Sequence, residues 1–393
     1  MLPMLFVISL ITFILLLLLT VLPWKEARGI KIAFSVLLFV MSQKFLFFQL
    51  FGGTFLTPEM PRLAIIILSW LYTSTIFLLL FAIIKGFIVV LCRVPNLMGK
   101  DTISLPFSHE TFLIYAMLVS LIIGAYGTYE AVRIPDVRTR EVTLKNLPLA
   151  LDGTKIAILS DLHASALVRN TQMKAIVAKT NTLAPDITLF AGDMADGSVI
   201  DRTNDVAPLA DLTAKYGVIG CPGNHEYYTD YDDWLKKIRS LGMIMLENQH
   251  VTIPIKGENI VIAGLTDENA GHYGMRSRDT SGSLASTTAS DIGAALSGTS
   301  QKDVRILLVH QPRNAPTYAQ YGLDLQVSGH THGGLMIGFD RIVAAFNNGY
   351  VHGLYQVGKM VLFVNPGTQL WSGFPVRIGV PAEITLLVLR SAK

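Results

Sequence analysis

The chain has 393 residues, of which 51% are hydrophobic and only 16% charged, a balance that excludes an ordinary soluble protein and predicts membrane segments. The net charge is +3 with no long basic run, which gives nucleic-acid binding no support. The two cysteines, Cys92 and Cys221, are too few and too far apart for a disulfide framework.

The apolar excess lies at the N-terminus. Residues 1–22 carry no charge, and further apolar stretches follow at about 30–51, 63–92 and 112–130. A bilayer core about 30 Å thick takes about 20 helical residues, so residues 1–130 are expected to form about four transmembrane helices (2–22, 30–51, 63–92, 112–130). A cleaved signal peptide fits the first stretch poorly, because it lacks a basic start and is followed by more spans. Lys25, Arg28 and Lys31 in the first loop, and Arg93 and Lys100 in the third, outweigh Arg62 in the second. The positive-inside rule then puts the N-terminus and everything after span four on the extracytoplasmic side of the cell membrane, although Arg133, Arg138, Arg140 and Lys145 weigh the other way. Lys44 and Lys85 interrupt spans two and three with no Asp or Glu in the interior of any span to pair with them. Such residues read either as a polar bundle interior and snorkelling or as a functional site in the bundle.

Residues 131–150 are expected to be a linker, and 151–393 a second domain. There, short β-branched runs recur: KIAILSD (155–161), DITLFAGD (186–193), GVIGCPGNHE (217–226), NIVIAGLTD (259–267), VRILLVHQP (304–312), LDLQVSGHTH (323–332), MVLFVNPG (360–367) and EITLLVLR (383–390). Helix-period stretches such as TQMKAIVAKTNTLAPD and YDDWLKKIRSLG separate the early ones, which predicts βαβ units and an α/β sheet. Residues 277–302, rich in Ser, Thr, Gly and Ala, read as a surface loop with a short helix at DIGAALSG.

Five of these strands run directly into polar residues: SDLH, GDMADG, GNHE, VHQP and GHTH. Ligands bind outside the carboxyl ends of α/β strands, so the five ends should meet in one cleft. Taken singly, each has an ordinary explanation as a helix cap, a turn dipeptide or a core histidine. Together, Asp161, His163, Asp193, Asn224, His310, His330 and His332 make an oxygen and imidazole set without thiolate, suited to Zn, Mn or Fe. Seven ligands exceed one four-coordinate site and suit two divalent ions sharing a carboxylate. In GHTHGG an extended backbone would point His330 and His332 the same way with Thr331 opposite, and Gly329, Gly333 and Gly334 would let it turn close to a substrate.

In this order the motifs resemble the DxH, GDxxD, GNHE, H, GHxH signature of calcineurin-like metallophosphoesterases, over residues 150–390. LALDGTKIAILSDLHAS and NPGTQLWSGFPVRIGVPAEITLLVL resemble the membrane-associated subgroup that includes lipid-linked sugar nucleotide pyrophosphatases. The resemblance implies a four-layer α/β sandwich behind the transmembrane bundle. It also implies a metal-dependent phosphoric ester hydrolase with Asp161, His163 and His332 on one ion, Asn224, His310 and His330 on the second, and Asp193 bridging them. His225 resembles the family's non-ligand histidine, which contacts phosphate and protonates the leaving oxygen.

Members acting on phosphoproteins read GDxVDRG, whereas GDMADGSVID has no arginine after Asp196, which favours a phosphodiester or pyrophosphate; Arg341 or Arg377 could supply one from elsewhere. Spans that hold the cleft near a bilayer favour a lipidic or envelope-attached substrate, making membrane lipids expected partners. Two other readings compete: a catalytically silent metal or phosphate sensor on a bundle with a transport or signalling role, and a single-metal zinc hydrolase that leaves Asn224 and Asp193 unexplained.

Overall fold

A computed structural model describes residues 2–97, 101, 105–268, 270 and 289–392. The chain splits into two compact units, Met1–Glu130 with Ser372–Val376, and Ala131–Trp371 with Arg377–Lys393.

The first unit is helical. α1 (Leu2–Leu16) continues through a π turn to Val21; α2 (Arg28–Ser42) and α3 (Lys44–Gly52) follow, then α4 (Arg62–Leu97) and α5 (His109–Val132). Three helices among the described residues are long and apolar enough to cross a membrane, or up to four if α2 and α3, bent by 63°, make one span. The bend falls at Gln43, whose backbone leaves helical geometry (φ −95°, ψ 38°) and whose side chain donates to Ser9 O at 3.2 Å. Kinking frees backbone groups, and in an apolar setting these need internal partners. The two lysines of these apolar helices bond to neighbouring groups. Lys44 Nζ donates to Ser372 O (2.9 Å) and Gly373 O (3.0 Å) and lies over the Phe48 ring at 4.8 Å. Lys85 Nζ meets His109 Nδ1 at 2.5 Å, and His109 Nε2 in turn faces Thr20 O at 2.8 Å.

The second unit is built on two six-stranded sheets among the described residues. In chain order the strands are β1 (Asp136–Leu144), β2 (Lys155–Leu159), β3 (Ile187–Ala191), β4 (Val218–Cys221), β5 (Ile244–Met245), β6 (Gln249–Ile255), β7 (Glu258–Gly264), β8 (Val304–Leu308), β9 (Leu325–Ser328), β10 (Gly353–Val357), β11 (Met360–Val364) and β12 (Glu383–Ser391). One sheet has the order β1-β12-β2-β3-β4-β5 and the other β10-β11-β9-β8-β7-β6. The run β2 to β5 is parallel, as is the run β7-β8-β9-β11. Parallel neighbours need crossovers. Between β2 and β5 these are α6 (Asn170–Asn181), α7 (Val199–Val206) and α8 (Tyr231–Ser240). α8 starts with Asp232 and Asp233 and ends with Lys237 and Arg239, charges that complement the helix dipole, while it buries Trp234, Leu235 and Ile238.

Between the sheets, Ile156, Ile158, Leu189 and Ile219 from one pack against Ile260, Ile262, Ile306, Leu308 and Val327 from the other. The far face of the second sheet buries Leu307, Val309, Leu362 and Val364 with residues of the short helices α9 (Ile292–Ala295) and α10 (Ala315–Tyr318). A last helix, α11 (Phe339–Phe346), follows β9.

One expectation is corrected and one, the short helix at DIGAALSG, is met. Residues 136–144, read as linker, form β1, paired in parallel with β12 over its whole length; its alternation of charged and apolar residues is that of a half-solvated edge. In the stretch read as a loop, residues 277–288 lie outside the described residues, while DIGAALSG carries α9, capped by Asp291.

Ile306 is fully buried between the sheets. Ile306→Ala should cost about 2–5 kcal/mol. Thermal unfolding of the detergent-solubilised chain should show a Tm lowered by at least about 4 °C, with Ile306→Val much closer to the parent protein.

Candidate metal centre

Every residue singled out from the sequence lies just past the carboxyl end of a strand: Asp161 and His163 after β2, Asp193 after β3, Asn224 and His225 after β4, His310 after β8, His330 and His332 after β9. Both sheets present these ends at the same edge, so their side chains meet. Three overlapping groups of possible ligand atoms form, each within 4.8 Å: Asp161, His163 and His332; Asp161, Asp193 and His310; and His163, Asp193 and His225. Asn224 joins through Oδ1, 3.1 Å from His310 Nε2 and 3.0 Å from His330 Nδ1. Its Nδ2 donates to Tyr228 OH at 2.8 Å, which turns the oxygen inward.

The backbone is bent to bring this about. Asp161 (φ 52°), His163 (φ 46°), Asp193 (φ 56°), His330 (φ 71°) and His332 (φ 48°) all adopt left-handed conformations as non-glycine residues. Each costs about 1–3 kcal/mol, and such strain concentrates at functional sites. The extended geometry expected for His330 and His332 is therefore corrected. Both sit in left-handed turns flanking Thr331, whose Oγ1 is drawn away to Val351 O. Gly329 also has a different purpose from the one expected, since a Cβ there would lie 2.5 Å from Asp161 Oδ2. Glycine at this point makes room for a carboxylate of the site.

Groups assigned no part from the sequence hold this geometry. Glu226, fully buried, accepts from the backbone N–H groups of Met194 and Gly223 (both 2.7 Å), Asp193 (3.1 Å) and Ala195 (3.3 Å). It thus ties the loop after β3 to the loop after β4. Asp196, the last carboxylate of GDMAD, accepts from His163 Nδ1 (2.9 Å) and His225 Nδ1 (2.6 Å) through one oxygen. Burial opposes its charge, but the two rings bring its pKa down to about 2. Arg377 is not free to meet a substrate. It is fully buried and donates to the carbonyls of His332, Val380, Pro366, Gly367 and Gln369. The motif patterns contain Glu226 and Asp196, but their partners come from other loops, and only the fold reveals them.

The oxygens of Asp161, Asp193 and Asn224 and the nitrogens of His163, His310, His330 and His332 suit one or two divalent cations and little else. Asp193 Oδ2 lies 3.1 Å from His310 Nε2 and 3.7 Å from His163 Nε2, between the two histidine groups. His310 Nδ1 donates to Ala191 O at 2.7 Å, which aims Nε2 at the cleft. Without a cation a proton answers the carboxylates: burial disfavours it on His310, but Asp193 and Asp161 push that ring well above its usual pKa. Binding a cation there releases the proton. His330 is lowered by burial to about 3 and His332 is also held low, so both offer neutral nitrogens. His225 differs. Burial opposes its charge, yet Asp193 and Asp196 raise it to about 9, its side chain is 14% exposed, and its ring stands against Tyr228 (4.7 Å) and Trp371 (6.1 Å). It is a protonated ring at the mouth of the cleft.

A family model of calcineurin-like phosphoesterases matches residues 154–334. The chain is similar to a transmembrane protein with metallophosphoesterase domain of Bos taurus, 36% identical over 293 residues, covering 70% of this chain and 62% of the relative. A metallophosphoesterase of Campylobacter jejuni is 32% identical over 286 residues (72% and 68%), and one of Bacillus subtilis 30% identical over 277 (68% and 91%). The chain thus spans less than two thirds of the bovine relative. From the fold, the site and these relatives together, the chain belongs to the calcineurin-like metallophosphoesterases.

Proposed function

We propose that the chain is a membrane-anchored phosphoesterase with two divalent ions, Mn, Zn or Fe, that hydrolyses a phosphodiester or pyrophosphate bond, extending to lipid-linked substrates. The observation that carries this reading is the shared carboxylate: Asp193 stands between His163 and His310, while five left-handed residues aim their side chains at the same cleft. We infer that Asp161, His163 and His332 would hold one ion and Asn224, His310 and His330 the other, with Asp193 available to both. Two such ions would supply Lewis acidity towards phosphoryl oxygen and lower the pKa of water.

The chain's own residues do the rest. Glu226 and Asp161 fix the bridging and terminal oxygens, Glu226 through the loop amides and Asp161 by accepting from His330 N at 3.1 Å. His225 donates a proton to the leaving oxygen, and Asp196 holds its ring in place through Nδ1 so that Nε2 faces the substrate. With Arg377 occupied by carbonyls, this part of the site offers no guanidinium for a phosphate monoester dianion, which favours the singly charged diester or pyrophosphate linkage. The loop charges described above support a multi-pass protein of the cell membrane with this unit on the extracytoplasmic side.

Asp193→Ala should abolish Mn²⁺-dependent hydrolysis of bis-p-nitrophenyl phosphate in the purified chain and reduce bound metal from two ions to one or none; full activity with metal content intact overturns the reading, and one tight ion in the parent protein points to a single-metal hydrolase.

The proton donated by His225 matters in proportion to the basicity of the leaving group. His225→Ala should keep both ions and most activity on p-nitrophenyl diesters, yet lose about 10²–10⁴-fold in kcat on alkyl diesters or lipid-linked nucleotide pyrophosphates. Equal losses on all substrates would count against this role.

Ile200 is 89% exposed. In a Cys92→Ser background, Ile200→Cys should react with a membrane-impermeant maleimide in intact cells; reaction only after lysis would place the unit on the cytoplasmic side.

A further inference from the structure

We propose that α11 is a bilayer-docking helix: Ile337 and its Phe339, Ile342 and Phe346 face enter the acyl layer of the membrane that holds the N-terminal helices and keep the metal cleft at the lipid surface. This goes beyond the hydrolytic reading and does not depend on it.

The chain FDRIVAAF has apolar residues at positions one, four, five and eight of a helix, within an arc of about 100° at 3.6 residues per turn, with Arg341 on the opposite side. In an ordinary soluble unit that arc would be the buried one. Here it is open: Phe339 is 40% exposed, Ile342 53% and Phe346 77%, and no residue of the helix is buried. Ile337, just ahead of it, is 73% exposed. The other exposed large apolar side chains of this unit among the described residues, such as Leu149, Ile200, Ile244 and Tyr321, are scattered along the sequence. Scattered ones are normal on any protein, whereas a gathered set marks a contact.

The helix is also held in place. Asp340 N donates to Met336 O (3.0 Å), Ile337 N to Ile378 O (3.0 Å) and Leu335 N to His332 O (3.2 Å), while Leu335 is itself left-handed at φ 63°. The apolar face is thereby presented by the same loop that carries His330 and His332.

Lipid is the occupant we commit to, because the bilayer is the one apolar phase this chain always has beside it. The last apolar helix ends at Val132 and β1 begins at Asp136, and the four Cα–Cα steps between them extend to at most about 14 Å. An interfacial helix has this composition, with Phe and Ile on one face and Arg on the other, and it lies in the plane of the membrane.

The test uses the full chain reconstituted in phosphatidylcholine and phosphatidylglycerol vesicles, in a Cys92→Ser background, since Cys221 is buried. Single cysteines at Ile342→Cys, Phe346→Cys and, for comparison, Ile200→Cys carry an environment-sensitive fluorophore. Docking predicts blue-shifted emission at 342 and 346, and quenching by doxyl-labelled lipids roughly twofold or more above that at 200. Emission and quenching at 342 and 346 equal to those at 200 overturn the proposal. So does disulfide or bismaleimide cross-linking between chains at 342 without lipid quenching, which would assign the face to a second copy. Both labelled positions are exposed, so labelling removes no packing from the fold, and retained metal content in the labelled chains verifies it.

Discussion

The site depends on a carboxylate buried behind its ligand candidates. Glu226 is fully buried and gathers four backbone N–H groups, three from the loop after β3 and one from the loop after β4. A buried charge is tolerable only when its hydrogen-bonding capacity is filled, and here the filling does structural work. With these amides fixed, Asp193 is held in its left-handed turn, and its Oδ1 accepts from His225 N at 2.9 Å. One buried carboxylate therefore places Asp193, Asn224 and His225 relative to each other. Close approach is part of the same arrangement: a Cβ at Gly223 would lie 2.5 Å from Asp193 N. Alanine at this position would separate the two loops that Glu226 draws together.

The electrostatics follow from that placement. Asp161, Asp193 and Asp196 are all buried within one cluster of imidazoles. Imidazole protons alone neutralise it unevenly: His310 and His225 are driven up while His330 and His332 are driven down. The division is chemically informative. Asp196 binds its two rings on the Nδ1 side and leaves the Nε2 atoms of His163 and His225 directed inward, whereas Asp193 and Asp161 face the Nε2 atoms of His310 and His332. Two carboxylates are thus available to cations and a third serves to orient rings, which is how ligand rings are usually fixed at metal sites.

Much of this was legible in the sequence, and the part that was not has a physical pattern. The eight apolar runs identified from the sequence are β2, β3, β4, β7, β8, β9, β11 and β12, all interior strands of their sheets; those overlooked are β1, β5, β6 and β10, the four edges. An interior strand is covered on both faces and reads as continuous Val, Ile and Leu, whereas an edge is half-solvated and carries charge, as in DVRTREVTL. The ligand candidates were legible because each follows an interior strand. Backbone conformation was not: nothing in GHTHGG distinguishes an extended strand end from two left-handed turns, since the choice is made by Asp161 accepting from His330 N across the sheet interface. The same holds for Arg377, whose five carbonyl partners span residues 332 to 380.

Apolar surface is distributed differently in the two units. The helical unit exposes many large aliphatic and aromatic side chains, while Lys44 is buried and bonded to two carbonyls and Lys85 meets His109. That distribution is the inverse of an aqueous fold. In the second unit, among the described residues, exposed large apolar side chains are scattered except along residues 337–346. The exception adjoins the loop of His330 and His332, whose left-handed turns already cost energy that the inter-sheet core must offset. An exposed apolar helix beside a strained loop would be a liability in water; in contact with a bilayer the same face becomes a source of stability for that loop.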